Sequence, residues 1–337
     1  MDISDVSDAS LPLYWEEAYS ARERNEVYRF RYNCYFAARE HLPGTDHAAR
    51  KVVLPHDARS THYLARTGDG KLAAVGTATP ATDLSLYPEW RVLLELPRLA
   101  LLAPRLVVIS RVILGEEHRG STVFGRFCLH MAKECVAKGF HYAAHYCAPA
   151  LVPLYERMGY RLYGKGRNLS GGGPFRLPML LIAGDIEYMR RLRSPFCELK
   201  QYLEEENRCS QVEKALALCP ELNCVPLCAL AGEERRNALF SACPALASTD
   251  PALLRRLERG SIFALAAKDV LTPAGENEGT FMLLSGGLRA GEKRFAPGSV
   301  AGSGAGTSDT SLVVPLVAEH PSPGLFFSLP EKLKENL

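Results

Sequence analysis

A chain of 337 residues is long enough for two domains of ordinary size, each burying its own core. Its 47% hydrophobic and 23% charged residues form a globular balance, and a formal charge of +2 gives no global pull toward nucleic acid. The opening MDISDVSDAS is acidic and polar, unlike a signal peptide, and the most apolar region, Leu93 to Leu114, is broken by Pro97, Arg98, Pro104, Arg105 and Arg111, which does not suit a bilayer span.

The ten cysteines form no CxxC pair, and Cys224 and Cys228 have no histidine at a zinc spacing. No metal site is expected, and the thiols read as reduced structural groups of a cytoplasmic protein. From Glu16 to Glu40 apolar and charged residues alternate at helical spacing, and Tyr28, Tyr32 and Tyr35 form a stripe that would pack on a sheet. Two strands follow, Ser60 to Thr67 and Leu72 to Thr79, joined by Gly68-Asp69-Gly70, which favours the positive φ of a tight hairpin. Asp57 and His62 frame the first strand, where a loop aspartate capping backbone N–H groups and a half-buried histidine would be ordinary.

Residues 80 to 104, PATDLSLYPEWRVLLELPRLALLAP, are long for a connection and rich in leucine. They would either complete the core or wall a tunnel for a fatty chain, at about 0.8 kcal/mol per buried methylene. Trp90 and Arg91 would also suit weak contact with a membrane surface. Leu106 to Leu114 is a strand rich in β-branched residues, Gly115 to Gly120 supplies a turn, and a helix pattern begins at Ser121. Free N–H groups and the dipole at such a helix start favour an anion, here a phosphate or pyrophosphate. Arg111 stands in this apolar strand, where its charge requires a carboxylate or phosphate.

A second strand from Phe140 to Cys147, a short helix around Leu151 to Arg157 and a third strand opening at Tyr160 come next. Asn168-Leu169-Ser170 and glycines 171 to 173 make a loop before a strand from Phe175 to Ala183, and Glu198 to Cys219 reads as a connecting helix. From about Cys224 helices give way to short strands with glycine turns, and no tandem repeat is visible.

The phrases RLVVISRVILGEEHRGSTVFGRF and LYERMGYR resemble the donor-binding and closing motifs of the GCN5-related N-acetyltransferase (GNAT) superfamily. VYRFRYNCYFA, HDARSTHYLAR, GKLAAVGTATPA and VVISRVIL resemble one of its branches, the N-acyl amino acid synthases and the acyl-homoserine-lactone autoinducer synthases of bacteria, over about residues 15 to 195. The fold class expected is therefore α+β: a GNAT-like mixed sheet flanked by helices over residues 1–195, a connecting helix over 196–223, and a further domain over 224–337.

The resemblance implies transfer of a long-chain fatty acyl group from a thioester to the amine of an amino acid or similar small acceptor, with no permanently bound cofactor. A backbone N–H of the strand, among Ile109, Ser110 and Val112, would face the oxyanion, and Tyr155 would protonate the leaving thiolate. Arg119, Gly120, Ser121 and Thr122 would hold donor phosphates, and Asp57, His62 and Arg111 would lie at the acceptor end. Val108 stands where the family usually has a glutamate, so His145 would take the amine's proton through a water, or the amine would arrive deprotonated. His141 and His145 fit equally as ordinary strand histidines. Glu116 and Glu117 beside the donor loop favour the single phosphodiester of an acyl-carrier protein over the several phosphates of acyl-coenzyme A.

The C-terminal part resembles a cyclic-nucleotide-binding domain, a small all-β jelly-roll barrel with flanking helices, through Gly275 to Gly279 and Leu284-Ser285-Gly286. It has Gly302-Ser303 where the family's glutamate belongs and Thr310-Ser311-Leu312 where its phosphate-binding arginine belongs. The expectation is a degenerate module that binds no cyclic nucleotide and packs on the catalytic domain or another subunit. Two rivals stand beside the synthase reading: a short-chain acetyl-coenzyme A-dependent acetyltransferase, and a non-catalytic sensor of acyl thioesters.

Overall fold

The computed structural model describes residues 12–37, 44–169, 175–230 and 232–242, the positions 244, 246, 254 and 257, and eight strands between 261 and 327. The acidic opening, glycines 171 to 173, the turns 275 to 279 and 284 to 286, Ser303 and residues 310 to 312 lie outside the described residues. The chain divides into two compact units, Met1–His145 with Leu180–Leu218, and Tyr146–Met179 with Cys219–Leu337.

In chain order the first unit begins with β1 (Leu13–Glu17), whose side chains alternate between half-buried and exposed. Helix α1 (Ala21–Ala37) follows. Its start is a reciprocal cap: Ser20 N–H donates to Glu23 Oε2 at 2.7 Å, and Glu23 N–H donates to Ser20 Oγ at 3.2 Å. The helix expected from Glu16 therefore starts later, because Glu16 and Glu17 belong to a strand paired with residues 63 and 64.

A small antiparallel pair, β2 (Thr45–Asp46) and β3 (Lys51–Val52), and a 3-10 turn at Asp57–Arg59 lead to β4 (Thr61–Thr67) and β5 (Leu72–Pro80). The expected hairpin joins the last two, with Gly70 at φ +82° and Thr67 N–H donating to Lys71 C=O at 2.9 Å. The leucine-rich insertion folds into α2 (Ala81–Leu84), α3 (Pro88–Leu93) and a 3-10 turn at Ala103–Arg105. Leu84, Leu94 and Leu99 are wholly buried, whereas Leu86, Val92 and Leu101 are exposed.

Strand β6 (Leu106–Leu114), a 3-10 turn at Glu116–His118 and α4 (Val123–Ala137) lead into β7 (Tyr142–Cys147). The chain then passes through α5 (Val152–Met158), β8 (Arg161–Leu162), β9 (Arg167–Asn168) and β10 (Phe175–Ile182), whose end returns to the first unit. There follow α6 (Ile186–Arg191), a 3-10 helix at Pro195–Tyr202 and α7 (Glu205–Leu218). The single connecting helix expected from Glu198 is thus two pieces, parted at extended Leu203.

Within the first unit the strand order is β1-β4-β5-β6-β7-β10, with β1, β4, β5 and β6 antiparallel and β6 parallel to β7. Helix α4 covers one face, where Phe127 and Met131 meet Tyr63, Ala65, Ala74, Ala78, Val107 and Leu114. Helix α1 covers the other, where Val27 meets Leu64 and Val75, with Ile113 against them. The period-two alternation of the strands produces this sandwich, and each large apolar side chain buried in it contributes roughly 1.5–3 kcal/mol.

In the second unit, Gly159 at φ +107° closes α5 and β9 pairs antiparallel with β10. Helix α8 (Gly232–Ala242) precedes β11 (Ser261–Leu265), β12 (Val270–Leu271), β13 (Thr280–Leu283), β14 (Leu288–Ala290), β15 (Lys293–Phe295), β16 (Val300–Gly302), β17 (Leu316–Ala318) and β18 (Ser322–Phe327). These form two four-stranded antiparallel sheets, β11-β18-β13-β16 and β12-β17-β14-β15. Among the described residues no helix is long and apolar enough to cross a membrane.

Candidate functional site

Strand β6 is interrupted at its middle. Its register with β5 jumps from Ser110–Thr77 to Ile113–Val75, so that Gly76 alone faces two residues, Arg111 and Val112. This is a β-bulge, and it places Arg111 at φ +53°. Left-handed backbone costs a non-glycine residue about 1–2 kcal/mol, which the surrounding sheet must offset. The bulge also changes which face each side chain takes. Val107 and Ile109 lie against the α4 core before it, and Val112 and Leu114 lie there after it. The parity shift turns Arg111 away from that apolar core toward α1, where its guanidinium sits over the Tyr35 ring at 5.7 Å.

On its other side β6 pairs with β7 for three residues only, Leu106–Tyr142, Val107–Ala143 and Val108–Ala144. Residues 106 to 108 are buried, and residues 109 to 113 are half-buried. The two strands part at Ile109, and the bulge in the β5–β6 pairing follows two residues further along β6.

Past β6 the chain turns through Gly115–Gly120, with Gly115 N–H donating to Ala73 C=O at 2.9 Å and Gly120 at φ +76°. Helix α4 begins at Val123, two residues later than its expected start, because Ser121 is taken by the turn: its Oγ donates to His118 C=O at 2.6 Å and accepts from Val123 N–H at 3.3 Å. Thr122 is the N-cap residue and makes no side-chain cap bond. Arg119 is exposed, as are Glu116 and Glu117, and Glu117 Oε1 lies 3.7 Å from His118 Nε2. The Cys34 thiol of α1 is pushed up to about 11 by burial, with Arg119 opposing and Glu117 and Glu116 adding to the shift.

The α1 face of the sheet carries a buried polar cluster. Arg31 donates from Nη1 to Asp57 Oδ2 at 2.7 Å and from Nη2 to Thr77 Oγ1 at 2.6 Å, and Nη2 also lies 3.3 Å from His62 Nδ1. Asp57 Oδ2 accepts a second bond, from Leu54 N–H at 2.7 Å. Arginine only donates, so His62 Nδ1 accepts and the ring proton belongs on Nε2, 3.9 Å from Asp57 Oδ1. Burial, then the neighbouring Arg31 charge, pushes His62 down to about 4. His56, also buried, packs edge-on to Trp90 at 5.1 Å; burial lowers its pKa, Asp57 opposing and Arg111 adding to the effect. Asp57 Oδ1, His62 Nε2, His56 Nε2 and Ser110 Oγ are buried with no hydrogen-bond partner among the described residues.

The expected acceptor-end residues Asp57, His62 and Arg111 thus all belong to the first unit, on the α1 side of the sheet. Asp57 both caps Leu54 and pairs with Arg31, and His62 is fully rather than half buried. Ile109, Ser110 and Val112 line the parted edge, and Arg119, Gly120, Ser121 and Thr122 form the turn before α4. His145 is buried, and burial pushes its imidazole down to about 3, making it a weak proton acceptor. Tyr155 lies half-buried on α5 in the second unit, edge-on to Tyr160 at 5.6 Å. His141 is held at the sheet end, its Nδ1 accepting from Gln211 Nε2 at 2.8 Å and from Arg105 Nη1 at 3.0 Å.

Sequence reasoning missed Arg31, Thr77, His56 and Tyr35 as members of this neighbourhood. The available signal was Arg31 between Phe30 and Tyr32 on a helix whose aromatic stripe faces the sheet.

No protein-family model matches the chain, and no curated protein matches it in sequence. Parts of it are similar to solved structures. A coenzyme-A-dependent acyl-homoserine lactone synthase, BjaI, is 12% identical with a TM-score of 0.42, over 55% of this chain and 90% of that one. FeeM, an N-acyl amino acid synthase from uncultured soil microbes, is 12% identical with a TM-score of 0.42, over 58% and 100%. TofI, solved with an inhibitor and MTA, is 16% identical with a TM-score of 0.40, over 55% and 98%.

Proposed function

We propose that the chain is an N-acyltransferase of GNAT type, moving a long-chain acyl group from a thioester to the amine of an amino acid or similar small acceptor. The observation that carries this reading is the parting of β6 from β7 after Val108–Ala144, just before the Arg111 bulge in the pairing of β6 with β5. Such an edge offers a backbone N–H to an acyl carbonyl, from among Ile109, Ser110 and Val112, in a setting where it need not reorganise as negative charge develops. The same strand runs directly into the turn of Arg119, Gly120, Ser121 and Thr122 at the α4 N-terminus, which suits the phosphate of the donor arm.

In the reaction the amine nitrogen bonds to the acyl carbon, the carbon–sulfur bond breaks, Tyr155 gives its proton to the departing thiolate, and the proton released by the amine passes through water to restore the Tyr155 hydroxyl. Val108 is buried and apolar, so it supplies no carboxylate base. The burial of His145 favours an acceptor that arrives as free amine over relay through that ring and a water. Exposed Glu116 and Glu117 support acyl-carrier protein over acyl-coenzyme A as donor, because they repel a polyphosphate more than a single phosphodiester.

A second reading, a short-chain acetyl-coenzyme A-dependent acetyltransferase, gains from the insertion. Leu84, Leu94 and Leu99 are spent on packing, where a tunnel wall would turn them toward open volume. The C-terminal region is proposed as a degenerate cyclic-nucleotide-binding-like barrel used for interaction.

Thiol release by the purified protein is the test, with acetyl-coenzyme A, palmitoyl-coenzyme A and palmitoyl-acyl-carrier protein as donors, pooled amino acids as acceptors and mass detection of product. A long-chain N-acyl amino acid, slowed about 10²-fold or more by Tyr155→Phe, is the expected result. Turnover with acetyl-coenzyme A alone gives the second reading, and tight donor binding with no product from any donor makes the protein a sensor.

A further inference from the structure

A short helix does not hold its own direction; the elements packed on it do. Helix α5 has seven residues, carries Pro153 in its first turn and ends at left-handed Gly159, so its neighbours set where Tyr155 points. We propose that residues 219–229 grip this helix, with Glu221 and Leu227 as positioning residues that aim the Tyr155 hydroxyl at the leaving thiolate; this rests on the acyltransferase reading above.

All the parts of the grip belong to the second unit. The 3-10 turn at Leu227–Ala229 packs on α5, and Leu227 is buried. The adjoining Cys228 thiol is pushed up to about 12, by burial first, with Glu156 adding and Arg157 and Arg235 opposing, which sets this turn beside the end of the helix. After the helix, Tyr160 N–H donates to Tyr155 C=O at 3.0 Å and the two rings meet edge-on at 5.6 Å, so Tyr155 moves with the approach to β8. Strand β8 packs on the 3-10 turn at Pro220–Asn223, where Leu222 is buried. Just beyond it, Gly164 stands at φ +62° and donates its N–H to Glu221 Oε1 at 2.8 Å. The chain is therefore held on both sides of Gly159 by one short segment. The C-terminal strands continue this support: β11 lies beside the turn at Leu227–Ala229, and its partner β18 lies beside the turn at Pro149–Leu151 that leads into α5. A catalytic group misplaced by about 1 Å loses on the order of 10²-fold in rate, so the grip reaches the chemistry without touching substrate.

The test uses the full chain and two donors: the best alkyl thioester from the thiol-release assay, and a palmitoyl aryl thioester, whose thiolate leaves without being protonated. Leu227→Ala and Glu221→Ala are each expected to lower kcat about 10-fold with the alkyl donor, its KM retained, and less than about 2-fold with the aryl donor. Glu221→Gln keeps an acceptor for Gly164 N–H and should restore kcat. In a Tyr155→Phe background neither alanine substitution should slow the reaction further. Hydrogen exchange over residues 152–162 should quicken in both alanine variants, and melting curves establish that each is folded in the assay. Glu221→Ala, at a half-buried position, keeps the test decisive where Leu227→Ala is too unstable to assay. Equal slowing with both donors, or exchange and kcat unmoved, overturns the grip and leaves the acyltransferase reading intact. No thiol release by wild type from any donor overturns that reading and the positioning role together.

Discussion

Arg31 reaches from α1 to Asp57 at 2.7 Å, and both side chains are shut away from solvent. A charge pair so placed gives little net stability over an apolar pair of the same size, yet breaking it leaves one charge stranded in low dielectric. Arg31→Met is therefore expected to cost about 3–5 kcal/mol in urea unfolding, and Arg31→Met with Asp57→Leu to recover most of that loss. A single-variant cost below about 1 kcal/mol would show that the pair does not hold α1 to the Asp57 turn.

His62 makes the fold sensitive to acid. Its folded pKa of about 4 lies below the ordinary 6.5, so under mild acid the unfolded chain binds a proton that the folded chain refuses. Its contribution is whole above pH 6.5 and is lost as pH falls from there toward 4, amounting to about 3 kcal/mol over the window. Urea midpoints from pH 7.5 to 4.5 should fall more steeply for wild type than for His62→Gln. Parallel slopes would mean that this ring titrates normally in the folded protein.

The cysteines should separate by burial. Cys209 and Cys224 are exposed, whereas Cys128, Cys135, Cys147 and Cys219 are buried, with the Cys135 thiol pushed up to about 12 by burial. A brief pulse of N-ethylmaleimide followed by peptide mass mapping should label the exposed pair and reach the buried four only after unfolding. Early labelling at Cys135 would contradict the closed packing under α4.

Much of the first unit was legible because its strands obey simple patterns. The β-branched run placed β6 at Leu106–Leu114, and the glycine–aspartate–glycine turn placed the β4–β5 hairpin. The late start of α1 was legible in principle, since Ser20 and Glu23 have the spacing of a capping box. What local sequence does not carry is the bulge: nothing in VVISRVIL says that Gly76, on another strand, will face two residues. Without the bulge, alternation puts Arg111 on the wrong face. Arg31 was hidden for a related reason, because burial of an arginine depends on partners at positions 57, 62 and 77 that only the folded sheet brings together.

Gly76 carries the last prediction. A Cβ at this position would meet Met131 Sδ at 2.5 Å, Met131 Cε at 2.8 Å and Phe127 Cε1 at 3.1 Å. The Met131 end is flexible, but the side chain is 2% exposed and has no open space to swing into without displacing its neighbours. Gly76→Ala should cost about 1–3 kcal/mol by overpacking, and it should also raise the KM for an acyl donor if the turn proposed to hold donor phosphates does so, since α4 must move outward and its N-terminus adjoins that turn. Met131→Ala opens room at the same place, so the double variant should be less destabilised than the sum of its parts by about 1 kcal/mol or more. Strict additivity in urea unfolding, with an unchanged donor KM, would show that the glycine does not set how closely α4 approaches the bulge.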